Sequence, residues 1–379
     1  MAILFWLSAG LLAFHYFGYP LLLGLLAKLK RTEPLPAGEE SPPVTLIISV
    51  YNEEDVIRER LENCRTLDYP RDKLRILVVS DGSTDKTHDI VAEYAGEGVE
   101  LEVVQGRVGK TGALNQVIPR LDTEIVVFTD ANSMLRPDAI RQLVRHFADP
   151  RVGAVCGELQ LTGDAGAEGA YWRYEKAIKQ FESKVSTLTV LNGALYALRR
   201  DLHRPMNPQA ANDFQHPLQV VLQGFRSAYE PRAIAQESGG VDEAVEARRR
   251  VRIISRGWKG LFSHIQVLNP FKVGLFSLQF IARKLLRWLG PLLMILALGS
   301  NIALAGRPFY RVILVMQGSF YALALLGAVL NRLKIRLLPA YAPYYFCLIN
   351  WAALKALVRV IAGRDSAVWT PTGVEMKNQ

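Results

Sequence analysis

The chain has 379 residues, half of them hydrophobic, and a formal net charge of +9, which is too long and too unevenly apolar for one ordinary soluble domain. Its three isolated cysteines, Cys64, Cys156 and Cys347, exclude a disulfide scaffold, fit no metal-ligand spacing and suit a reducing cytosol. No basic patch is interleaved with aromatics, so nucleic acid is not the expected partner; much of the positive excess lies beside apolar segments, where anionic membrane lipids are.

Residues 3–26 are almost wholly apolar, enough for a helix across a ~30 Å hydrocarbon core. They show no basic start and no small-residue cleavage site, so an uncleaved transmembrane anchor over 1–31 is expected rather than a secretory signal. Lys28, Lys30 and Arg31 follow it and favour a cytoplasmic position for what comes next. A buried core helix is the alternative. Residues 32–42 form a polar, proline-rich linker.

From 43 to about 260 strand-like and helix-like runs alternate: 44–50 then 53–66, 74–80 then 84–94, 101–104 then 110–120, 124–129 then 136–147. That alternation predicts βαβ units, an α/β domain with helices over a mostly parallel, Rossmann-like sheet. Ligands in such sheets bind beyond the carboxyl ends of the strands. The first strand runs directly into Tyr51-Asn52-Glu53-Glu54, where Tyr51 and Glu53 could flank a flat base. The second ends in Asp81-Gly82-Ser83-Thr84-Asp85; Asp81 could accept hydrogen bonds from a base or ribose. A plain turn with Thr84 as helix cap is the other reading.

Gly106 to Thr111 invites comparison with a phosphate-binding P-loop, but the required first glycine is Val104 here. Lys110 is expected to face phosphate oxygens from a helix start, or else to be a solvated surface lysine. Asp130-Ala131-Asn132 follows the fourth strand and puts oxygen-bearing side chains of Asp130 and Asn132 at i and i+2. That spacing suits a hard cation, Mg²⁺ or Mn²⁺, bridging two phosphates; an Asx turn is the alternative. Asp213 opens a helix-like run over 217–222, either as its cap or as a carboxylate that takes a proton from an attacking hydroxyl. Arg248 to Arg250, Arg252, Arg256 and Trp258 precede a second apolar region; most of that cluster suits headgroups, with one or two arginines left for a leaving diphosphate.

Residues 261–288 mix apolar side chains with Lys272, Arg283 and Lys284 and are expected to lie in the membrane interface. Within 289–364, residues 289–305 and 309–330 are candidate spans. The run 340–361 carries Lys355 and Arg359 and has basic flanks at both ends, including 332–336, so it is either re-entrant or interfacial, or it spans against the charge bias. Residues 365–379 form a tail.

In these motifs the chain resembles the membrane-bound family 2 glycosyltransferases, inverting enzymes of GT-A fold that include cellulose, hyaluronan and poly-N-acetylglucosamine synthases. SVYNEE (49–54) and VVSDGSTD (78–85) are similar to the family's nucleotide-binding strand ends, and GKTGALN (109–115) to its diphosphate-facing segment. TDAN (129–132) stands at the metal-binding Asp-x-Asp, NGALYALRR (192–200) at the acceptor-side strand, and ANDF (211–214) at the Glu-Asp motif, which makes Asp213 the implied catalytic base. The resemblance implies a nucleotide-sugar donor, a UDP-sugar first of all, and a lipid-linked saccharide or glycan acceptor. It also implies a multi-pass protein of the cell's inner membrane with its catalytic domain in the cytoplasm. Asn132 departs from the second metal-site Asp and Asn212 from the Glu before the base. The Gln-x-x-Arg-Trp of processive members is reduced to an Arg256-Gly257-Trp258 remnant, which counts against processive synthesis. A nucleotidyltransferase and an inactive, membrane-tethered nucleotide-sugar-binding partner are the competing functions.

Overall fold

A computed structural model describes residues 1–30, 41–162, 166–238, 243–333, 335 and 337–363. Residues 32–40 of the expected linker, Arg31, Arg336 and the tail from 365 lie outside the described residues. By their internal packing the residues divide into two units: 23–240 with 259–278, and 1–22 with 241–258 and 279–365.

The first unit is built on one eight-stranded sheet. Its strands are β1 (Val44–Val50), β2 (Leu74–Ser80), β3 (Val99–Val103), β4 (Ile125–Asp130), β5 (Met134–Leu135), β6 (Val152–Thr162), β7 (Leu195–Arg199) and β8 (Arg226–Ser238). The order is β3-β2-β1-β4-β7-β6-β8-β5. β3, β2, β1 and β4 are parallel, whereas β7 runs antiparallel to both β4 and β6. Alternate residues of β1 feed opposite cores: Val44, Leu46, Ile48 and Val50 on one face, Ile47 on the other with Val126, Phe128 and Leu114. Burial on both faces explains why these strands read as continuous apolar runs.

Helices form where the sequence predicts them, but shorter. The run 53–66 yields Ile57–Arg65, 84–94 yields Thr87–Ala92, and 136–147 yields Ala139–Val144 with a closing 3₁₀ turn. Their first residues are used instead to tie neighbouring strand ends together. The helix predicted from 217 starts earlier, as Asn212–Leu222, and carries Pro217 inside it. The parallel register sets Ser49 beside Asp130 and Val50 beside Ser80, and the Asp81 N–H donates to the Val50 carbonyl (3.1 Å). Residues 51, 81 and 130 therefore leave the sheet at one edge.

The second unit is helical. Among the described residues four helices are long and apolar enough to cross a membrane: Ala2–Leu29, Leu275–Ala303, Pro308–Arg332 and Leu338–Ile361. The second of these begins inside the stretch read from sequence as interfacial. The fourth continues unbroken through Lys355 and Arg359, both exposed near its end. Large apolar side chains such as Ile3, Phe17 and Leu325 stand fully outside the packed interior, as lipid-facing positions do. Within this unit Trp6 Nε1 donates to Tyr310 Oη (3.2 Å) and Phe5 meets the Tyr310 ring edge-on.

Candidate active site

The loop after β1 and the loop after β2 are knitted together. Asn52 takes a left-handed backbone (φ 54°), the only non-glycine residue to do so among the described residues; asparagine tolerates this because its short amide can bond locally. Its Oδ1 accepts from the Thr84 N–H (2.8 Å) and its own N–H donates to Ser83 Oγ (3.0 Å). The Glu53 N–H donates to Thr87 Oγ1 (2.9 Å) and the Glu54 N–H to Asp85 Oδ2 (3.1 Å). Thr84 therefore caps no helix; the helix begins at Thr87 and the Ser-Thr-Asp run holds the first loop.

Asp81 is buried at the strand edge, and its carboxylate accepts from the Val108 N–H (2.9 Å) and the Gly109 N–H (3.0 Å). Gly109 has φ 78°, a conformation that costs a residue with a Cβ and turns its amide onto the carboxylate. Burial raises the Asp81 pKa, opposed by these two amides and by Arg107. The Arg107 guanidinium lies 3.5 Å from the centroid of the Tyr51 ring, a cation–π contact. Tyr51, Arg107 and Asp81 thus form one wall of the edge. Glu53 stands near it with its pKa raised to about 7, first by burial and then by Asp130, Asp85 and Asp55.

Lys110 sits in the first turn of the Gly109–Val117 helix, and its Nζ pairs with Asp130 Oδ1. The lysine is therefore neither free nor solvated on this surface. Asp130 closes β4, and Asn132 is exposed in the turn behind it. Among the described residues no group of three or more His, Cys, Asp or Glu is arranged for a metal. Asp130 and Asn132 offer hard oxygens only, and Asp130 already attracts a cation, the Lys110 ammonium. That donor set fits Mg²⁺ or Mn²⁺ held chiefly by diphosphate and water, with few protein ligands.

Asp213 lies in the first turn of the Asn212–Leu222 helix, whose N-cap residue is Ala211 with no side-chain cap bond. Asp213 is thus not the cap. Its Oδ2 lies 3.5 Å, and Asp130 Oδ2 3.6 Å, from where a Cβ on Gly193 would stand. Both carboxylates thus border the space left open beside the bare backbone of Gly193. The sequence places Gly193 in an acceptor-side strand motif, and nothing in the order of residues marks this glycine.

Arg256 and Trp258 belong to the helical unit. Trp258 is buried there with its ring 5.0 Å from that of Trp288. A Cβ on Gly257 would come within 2.7 Å of Trp288. The glycine between Arg and Trp is what lets the Glu243–Ser263 helix approach that ring so closely.

A mixed sheet with parallel strands ending at Asp81 and Asp130, and a third carboxylate, Asp213, near the second of these, is the architecture of the GT-A fold. Residues 45–204 match the sequence model of the family Glycosyl transferase family 2. The matched range includes Tyr51, Glu53, Asp81, Lys110, Asp130 and Asn132 and ends before Asp213. A beta-monoglucosyldiacylglycerol synthase of Nostoc sp. is 38% identical over 118 residues, which is 30% of this chain and 25% of that protein. A poly-beta-1,6-N-acetyl-D-glucosamine synthase of Staphylococcus aureus is 26% identical over 207 residues, 52% of this chain and 50% of that one. The chain spans half or less of the length of these two relatives. A mannosyltransferase of Pyrobaculum calidifontis, solved with GDP-Man and Mn²⁺, superposes with a TM-score of 0.72 at 25% identity, covering 96% of this chain and 100% of that one.

Proposed function

We propose that this chain is an inverting glycosyltransferase that moves a sugar from a nucleotide-sugar to a hydroxyl of a lipid-linked saccharide or glycan at the membrane. The observation that carries the reading is the approach of Asp213 and Asp130 to the same point beside Gly193. In the proposed step Asp213 accepts the proton of the attacking hydroxyl. The new bond forms at the anomeric carbon as its bond to the diphosphate breaks on the opposite side, which inverts that centre. Tyr51 and Asp81 hold the base and ribose, the loop of Arg107 and Gly109 closes over them, and Lys110 faces the departing diphosphate. Asp130 and Asn132 would hold a divalent cation, which when bound would supply Lewis-acid neutralisation of that leaving group. Arg256 and Trp258 are assigned to the acceptor. We assign the protein to the inner membrane with residues 43–260 in the cytoplasm; the apolar helices and the positive charge of Lys28 and Lys30 at the end of the first of them support this reading.

The donor proposed first is a UDP-sugar. A GDP-sugar is the second reading, favoured by the GDP-Man bound to the structural relative that covers nearly this whole chain. Detergent-purified protein, a membrane lipid extract and radiolabelled UDP- and GDP-sugars decide between them. Transfer to a lipid-extractable product, lost on chelation and restored by Mg²⁺ or Mn²⁺, is expected. No transfer from any nucleotide-sugar, with nucleotide binding intact, would make the chain an inactive binding partner; released pyrophosphate would make it a nucleotidyltransferase.

A further inference from the structure

Behind Asp213 four buried polar side chains form one line. Asn212 Nδ2 donates to Tyr196 Oη (2.5 Å). Tyr196 Oη lies 2.9 Å from His216 Nδ1, and His216 Nε2 lies 3.2 Å from His203 Nδ1. Tyr196 and His216 are wholly buried, and Asn212 and His203 nearly so.

One direction satisfies every bond in the line: an amide N–H occupies the Tyr196 oxygen, and the phenol donates its single proton onward to His216 Nδ1. His216 then carries its hydrogen on Nε2 and donates to His203 Nδ1. His203 in turn carries its hydrogen on Nε2, the atom that ends the line buried and unpartnered. Burial lowers the pKa of both imidazoles, that of His203 to about 4 and that of His216 well below the ordinary value. Both rings are therefore neutral, as the bonding pattern requires.

We propose that Asn212, Tyr196, His216 and His203 are positioning residues: an uncharged, one-way hydrogen-bond chain that locks the first turn of the Asn212–Leu222 helix and thereby aims the Asp213 carboxylate. This rests on Asp213 being the base. It also accounts for asparagine at 212, where the resemblance leads one to expect glutamate. A carboxylate at 212 only accepts, so it would turn the phenol round and force both imidazoles into the opposite tautomer, besides adding a second negative charge beside Asp213. The neutral amide and the neutral line match each other.

The test uses the full-length protein in detergent with ¹⁵N-labelled histidine. His216 and His203 are expected to show the Nε2–H tautomer, and the N212D variant to switch His216 to Nδ1–H. Tyr196→Phe keeps the ring stacked on Phe128 (centroids 4.6 Å) while cutting the line at both its bonds. Its kcat should fall about 10- to 100-fold, with donor KM and nucleotide affinity changed less than about 2-fold. A His216 that is charged or Nδ1-protonated in the wild type overturns the proposal, and this result stands even where a variant fails to fold. So does a Y196F enzyme of wild-type kcat, including one that merely melts earlier. Asp213→Asn separates the two ideas: transfer surviving in that variant removes the base assignment, whereas loss there with full activity in Y196F removes only the positioning chain.

Discussion

The carboxylates of Asp130 and Asp213 approach one point beside the bare backbone of Gly193, each within 3.6 Å of the place a Cβ there would fill. They come from a strand end and a helix start 83 positions apart in the chain. Those contact distances are ordinary van der Waals spacings, and Gly193 has no left-handed φ, so alanine fits the empty protein. Gly193→Ala should therefore leave the melting temperature nearly unchanged while lowering kcat about 10-fold or more, because the methyl occupies space reserved for the reacting groups. A thermal melt and a transfer assay on the same preparation check this.

Asp213→Asn should reduce kcat by about 10²- to 10⁴-fold, the usual contribution of a general base, with donor KM little changed. Asp130→Asn keeps the shape but removes the negative charge that meets Lys110 and the cation. It should raise the divalent-ion concentration needed for half-maximal activity well above that of the wild type, and chelation should abolish activity in both. Metal titrations of transfer rate distinguish these two variants.

Asp81→Asn replaces one of the oxygens that accept from Val108 and Gly109 with an N–H donor. Leaving a buried amide unpaired costs about 1–3 kcal/mol. The expected outcome is at least 10-fold weaker nucleotide binding by calorimetry, with heightened exchange of the Val108 and Gly109 amides.

Glu53 gives a pH dependence of definite sign. Burial, then Asp130, Asp85 and Asp55, push its carboxyl up to about 7 in the folded protein from an ordinary 4.5, so across that window the folded state holds the extra proton. Stability contributed by this residue is then lost as pH rises from about 4.5 to 7 and stays lost above it. Glu53→Gln should raise the melting temperature of metal-free protein at pH 8, on the order of 1–2 kcal/mol after allowing for partial solvent screening, and leave it unchanged at pH 4. A melt series in chelator across that range is the measurement.

The membrane orientation predicts labelling. Cysteines at two exposed positions check it: Gly306, in the turn between two of the apolar helices, and Glu59. In intact cells an impermeant thiol reagent should modify the first and spare the second, and equal labelling would reverse the cytoplasmic assignment.

The sequence determined the strands, because β1, β2 and β4 are buried on both faces and so read as unbroken apolar runs, each ending at its acidic motif. It likewise determined the lipid-length apolar segments, whose composition answers to a solvent rather than to a partner. Helix starts were less legible: the residues of 51–54 and 83–87 bond across the two loops, a pairing that local propensity does not contain. The meeting of Asp130 with Asp213, the amide clasp on Asp81, the Lys110 ion pair and the line from Asn212 to His203 were decided only by tertiary structure. Each joins residues from separate elements, and their geometry is set by sheet register and by close backbone approach at Gly109, Gly193 and Gly257. A glycine in a sequence shows that a side chain is missing; only the fold shows what uses the space.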